Sequence, residues 1–150
     1  MYRAVMKMVL RRVFRELSRG NFEYSLRKSA IDVEHIFPGR HALGGTRHSQ
    51  AALRKWFQRL NRLFPGLTFT VNNIAVTGWP WDTAAAIEWV DSAKLPDGSA
   101  YHNRGAHWMR IKWGRVVSIH AYLDTLRVAE ACEHLSRLGI AEAAAAPIID

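Results

Sequence analysis

Hydrophobic positions recur with a helical period at the start of the chain and with a period of two further on. Leu10, Val13, Phe14 and Leu17 form one stripe, opposite Arg3, Lys7, Arg11 and Arg15, which predicts a surface helix over about Tyr2 to Ser18. Gly20 suits its C-terminal cap. A short second helix is expected from about Phe22 to Ser29. Residues Asp32–Phe37 then alternate like a strand until Pro38-Gly39 stops it. The segment Gly39–Thr46, with three glycines, reads as a loop. Ser49 can cap a third helix that runs to about Phe64 and presents Leu53, Trp56, Phe57, Leu60, Leu63 and Phe64 inward.

Past Pro65-Gly66 the period changes. Leu67–Thr77, Ala84–Ala93, Tyr101–Trp113 and Arg115–Leu123 read as four strands, the last two around a tight turn at Gly114. A final helix over about Leu126 to Leu138 and a loose tail, Ala141–Asp150, complete the chain. Helices first and an antiparallel sheet afterwards predict an α+β fold, a single domain over residues 1–140.

Composition narrows the class. Forty-nine per cent hydrophobic residues and six tryptophans describe a packed globule. No apolar run approaches the roughly 20 residues that cross a bilayer, so no membrane partner is expected. The single cysteine, Cys132, excludes an internal disulfide and fits a reducing cytoplasm. The net charge of +8 is uneven, +10 over residues 1–64 and −2 over the rest. The four-residue spacing of the basic positions makes them solvated helix faces. No aromatics interleave with them to stack bases, so nucleic acid is not an expected partner. No phosphate-cradling glycine loop, HExxH or serine elbow is present. His41 and His48 sit in a polar loop, and neither a metal nor an organic cofactor is expected.

Strand parity then picks out candidate chemistry. Side chains alternate across a strand, so an ionisable residue in step with large apolar neighbours shares their buried face. Asp91 is in step with Ile87 and Trp89. His107 is in step with Met109, Ile111 and Trp113, and His35 with Val33 and Phe37. On the last strand Val117, Ile119, Ala121 and Leu123 share one face, with His120, Tyr122 and Asp124 on the other. A carboxylate among such side chains is costly to ionise, so its pKa should climb toward that of a useful general base. A histidine beside it can donate to a substrate oxygen. Asp91, His35 and His107 are therefore the candidate catalytic residues, although pairing with Arg104, Arg110 or a loop amide would account for Asp91 equally well.

The order of these elements, with DVEHIFPGRHALGG at Asp32–Gly45, the Asn103-Arg104-Gly105 strand entry and RVVSIHAYLDT at the close, resembles the SnoaL-like polyketide cyclases of the NTF2-like superfamily. That superfamily also contains ketosteroid isomerase and limonene-epoxide hydrolase. The resemblance covers about Val5 to Val128. It implies helices packed in the concave face of a strongly curved sheet, a pocket within the cone, and a homodimer through the sheet's outer face. The positions of the ketosteroid isomerase tyrosine and two aspartates hold Val13, Phe37 (or His35, if the strand shifts) and Ala106 here. Of the epoxide hydrolase set only Asp91 survives, because Trp89 replaces the arginine and Ala121 lies near the second aspartate. The cyclases need only an acid–base group in an apolar cavity, which this sequence supplies. The resemblance implies cofactor-free aldol-type cyclisation or isomerisation of a small carbonyl compound, with epoxide hydrolysis as a weaker alternative. Trp89, Phe37, Trp56, Met109, Ile119, Ala121, Leu123, Val13 and Leu17 are expected to form the walls. A non-catalytic module that binds a small ligand or dimerises is the other reading of the same features.

Overall fold

The fold was taken from a computed structural model that describes all 150 residues. Helix α1 (Tyr2–Ser18) buries Met6, Leu10, Val13 and Phe14, the stripe its sequence period requires. The short α2 (Glu23–Lys28) leads straight into β1 (Ser29–Phe37), which begins three residues earlier than the alternation alone predicts. Helix α3 (Gln50–Leu63) starts where Ser49 accepts a hydrogen bond from the Ala52 amide, and buries Leu53, Trp56, Phe57 and Leu63.

Four long strands follow: β3 (Thr68–Trp79), β4 (Asp82–Lys94), β5 (Ala100–Lys112) and β6 (Arg115–Leu123). Helix α4 (Thr125–Arg137) is capped by the Asp124 carboxylate, which accepts from the amides of Leu126 and Arg127. The glycine-rich segment is not wholly a loop, because its end forms a short strand β2 (Gly45–Arg47) on the edge of β1. The six strands lie in the order β2-β1-β6-β5-β4-β3. Only the β1–β6 pair is parallel. The sheet does not close, and the fold is α+β with its N-terminal helices against one face.

Register shifts interrupt three strand pairs: β1–β6 between Ser29 and Glu34, β3–β4 between Val71 and Asn73, and β5–β6 between Arg110 and Ile111. Such bulges bend a sheet and reverse side-chain facing locally. The last of them corrects one expectation. Val116 enters the core in place of Val117, which is only half-buried. A second correction concerns Trp113. Lys112 pairs with Arg115, so Trp113 and Gly114 are the two central residues of the hairpin turn, both at positive φ. Trp113 therefore leaves the inward face of β5 and stands 74% exposed. Gly105 is needed for packing, since a Cβ there would lie 2.2 Å from the carbonyl oxygen of Tyr122 on β6.

The tail is not loose. Residues Ala141–Ala144 form a 3-10 turn whose Glu142 pairs with Arg59 and Arg62. Arg59 donates to the Ala146 carbonyl, Arg47 to that of Ile148, and the His48 amide to the Asp150 carboxylate. The alanine-rich composition hides this docking, because the donors belong to residues far earlier in the chain.

Candidate active site

Between α1, α3 and the inner sheet face lies a narrow cavity with about 70 Å³ of free volume, part of it open to solvent. Seventeen of its 22 lining residues are hydrophobic, so the few polar groups, chiefly Asp91, His35 and His107, set its chemistry. Val13, Leu17, Phe37, Trp56, Trp89, Met109, Ile119 and Leu123 are all in the wall. Ala121 is not. It is fully buried and directly opposite His107 in the β5–β6 ladder, where a methyl group is too short to reach the cavity.

Asp91 is only 7% exposed, and its Oδ1 has no hydrogen-bond partner. Neither suspected arginine neutralises it. Arg110 pairs with Asp82 on the other side of the sheet, and Arg104 is exposed. Burial pushes the Asp91 carboxyl up to about 7, with the Asn103 amide pulling it back only in part. A carboxyl of that pKa is half ionised near neutrality, the condition for a general base that can also return the proton.

The two histidines are fixed as neutral donors by partners that cannot accept. Arg47 donates its Nε–H to His35 Nδ1 over 3.0 Å, and the Trp89 indole N–H donates to His107 Nδ1 over 2.6 Å. Guanidinium and indole are donors only, so each Nδ1 must carry its lone pair and each ring proton must sit on Nε2. Burial, then Arg47, then His107 hold the His35 pKa well below its ordinary value. Burial alone takes His107 down to about 4.

The strand register spreads these groups out. Asp91 pairs with Asn103 and Ile87 with His107, so four residues of β4, about 13 Å of strand, separate the two rows. The expectation of a histidine beside the carboxyl is thus replaced by a carboxyl at one end of the cavity and imidazole donors at the other, with Trp89 between them. The carboxyl's neighbour is Tyr101, whose phenol is pushed up by burial and then by the Asp91 charge. Tyr101 Oη accepts from Asn103 Nδ2 over 3.1 Å, which leaves its own proton free to donate. Asn103 also donates to the Asp124 carbonyl, tying this end of the site to the start of α4.

Sequence reasoning missed Tyr101, Asn103 and Arg47. The first two share strand parity with His107 and were legible by the same rule. Arg47 lies between the expected Gly39–Thr46 loop and the Ser49 cap, and nothing in the sequence marks it as fully buried. No group of three or more His, Cys, Asp or Glu side chains gathers in a way that could hold a metal ion.

Among solved structures the chain is similar to an NTF2-like protein of unknown function from Burkholderia pseudomallei, with 16% identity over 83% of this chain and 95% of that one and a TM-score of 0.73. It is similar to PrhC from Penicillium brasilianum, with 14% identity over 93% of each chain and a TM-score of 0.76. It is also similar to TerC, co-crystallised with polyporic acid, with 15% identity over 84% of this chain and 96% of that one and a TM-score of 0.69. At these identities the likeness establishes the fold. No curated protein matches the sequence. Residues 10–119 match the SnoaL-like domain, most of the chain, and the protein belongs to the SnoaL-like family of NTF2-like folds.

Proposed function

We propose that this protein is a cofactor-independent acid–base enzyme that acts on a small, largely apolar carbonyl compound by aldol-type cyclisation or isomerisation. The observation that carries the proposal is the Asp91 carboxyl, buried at the cavity wall with one oxygen unpartnered and a pKa of about 7. An ionised carboxylate held in apolar surroundings without a counter-charge is expensive, and removing a substrate C–H proton relieves that cost. Asp91 takes the α-proton. The negative charge that develops on the carbonyl oxygen is met by donors, Tyr101 Oη near the carboxyl or the Nε2–H groups of His35 and His107 at the far end. The proton is then returned to a second carbon, which completes isomerisation, or the enolate carbon attacks a second carbonyl of the substrate and the alkoxide formed as that C=O π bond opens takes the proton, which completes ring closure. Neutral donors suit this step because they stabilise the oxyanion without protonating the base. TerC, a protein of similar fold, was co-crystallised with polyporic acid, which is in keeping with this reading.

Simple model ketones suffice to test this chemistry. In deuterium oxide, a panel of cyclic ketones and β-dicarbonyl compounds should exchange α-protons faster with the protein than without it. Asp91→Asn should abolish the gain. Exchange that persists in this variant would remove Asp91 as the base. An Asp91 pKa near 4 by carbon NMR titration would leave only a ligand-binding cavity.

A further inference from the structure

Three tryptophans cluster where nothing in the chain covers them. Trp79 ends β3 and Trp81 sits in the β3–β4 turn, their rings stacked with centroids 5.9 Å apart, and Trp113, on the β5–β6 turn, lies 6.3 Å from Trp81. They are 59%, 53% and 74% exposed. The two turns are joined by the Trp113 amide, which donates to the Pro80 carbonyl over 2.7 Å. Trp113 has φ +50, at a position of a two-residue turn that favours Asn, Asp or Gly. The turn does not call for an indole there, and most of the Trp113 ring faces solvent.

The ground around this cluster is basic and apolar. Lys112 and Arg115 pair at the base of the Trp113 turn, and Arg115 reaches the Arg27 carbonyl. Asp82, the one carboxylate in the β3–β4 turn, is paired with Arg110. The first turn of α1 is tied to the same end of the sheet by Tyr2 Oη, 2.5 Å from Thr83 Oγ1. From there α1 carries Arg3, Lys7, Arg11, Arg12 and Arg15 before its first acidic residue, Glu16, and leaves Met1, Val5 and Met8 exposed.

We propose that these hairpin tips and the exposed face of α1 form a docking surface for an anionic lipid bilayer, on which the protein lies peripherally with the three indoles at headgroup level. Indole rings with an apolar body and one N–H settle at the membrane–water interface, and Lys and Arg beside them are drawn to anionic headgroups. No helix is long and apolar enough to cross a membrane, and this contact requires none. A second copy of the chain is the poorer occupant, because a two-fold contact here would set the same cations against each other. Nothing in this contact depends on the chemistry of the cavity.

Co-sedimentation with phosphatidylcholine vesicles, with and without phosphatidylglycerol, tests it. The full chain should sediment with the anionic vesicles, less so as salt rises, and not with the neutral ones. Trp113→Asn places a better turn former at φ +50, so it should melt no lower than the parent while partitioning falls by roughly tenfold. Lys112→Gln should lower partitioning by about fivefold. Failure to sediment with anionic vesicles overturns the proposal, as does partitioning unchanged in Trp113→Asn. A dimer that Trp113→Asn converts to monomer, without vesicle binding, would assign the surface to a second copy instead.

Discussion

Arg47 donates its Nε–H to Nδ1 of His35, and this contact between a fully buried guanidinium and a buried imidazole decides which ring nitrogen of His35 carries the proton. Arg47 has no carboxylate within its own hydrogen-bonding set. Its remaining donors go to the carbonyls of Gly44, Gly45 and Ile148. Burial brings its pKa down to about 10, still far above neutrality, so it remains a cation beside the cavity. Arg47→Met should therefore cost about 3 kcal/mol by denaturant unfolding, since several buried acceptors lose their partner at once. The His35 pKa should rise part of the way toward 6.5 in nitrogen NMR, because the cation is lost while the burial remains.

Trp89 plays the corresponding part for His107. Trp89→Phe keeps most of the apolar bulk and removes the one donor to Nδ1, so His107 should become a mixture of both tautomers by nitrogen NMR. The carboxyl is untouched, and α-proton exchange should fall by roughly tenfold to a hundredfold through misdirected donors.

Replacing the carboxyl itself should trade activity for stability. The folded pKa of Asp91, about 7, lies above its ordinary 3.8, so the folded state holds the proton more tightly than the unfolded chain. That contribution is complete below about pH 4 and is lost as pH rises through 7. Asp91→Asn should lower exchange by about 10²–10⁴-fold. Above pH 7 it should also raise stability by about 2 kcal/mol, a gain that disappears near pH 4 in chemical denaturation.

The histidines act in the opposite direction. The His107 pKa of about 4 and the depressed His35 value mean that the unfolded chain takes up protons first. Their neutral burial therefore stabilises fully above about pH 6.5, and the effect is lost as pH falls toward 4. In the Asp91→Asn background, stability should rise monotonically over that interval. In the parent, activity should climb through about pH 7 as Asp91 ionises. No histidine-dependent decline should follow on the alkaline side, because both rings are already neutral.

Tyr101→Phe separates the two ends of the cavity. If the oxyanion forms near the carboxyl, the variant loses about tenfold or more in exchange, beside a stability cost of about 1 kcal/mol for the lost Asn103 hydrogen bond. If the oxyanion forms at the histidines, the loss appears in His35→Ala and His107→Ala instead.

The sequence alone determined the four helices, the long strands, the α+β class and the inward facing of Asp91, His35 and His107, because hydrophobic period and strand parity are local properties of the chain. Parity held along β4 and β5, whose mutual register is unbroken, and failed at Val116 and Trp113, where a bulge and a turn intervene. The separation of Asp91 from His107, the tautomer of each imidazole and the docking of the tail were decided by tertiary structure. Each depends on which strand, indole or guanidinium arrives from a distant part of the chain, and a one-dimensional pattern carries no such information. The missing partner at Asp91 Oδ1 is of the same kind. Only the arrangement of the whole sheet shows that Arg110 is committed to Asp82 and that no other cation reaches the carboxyl.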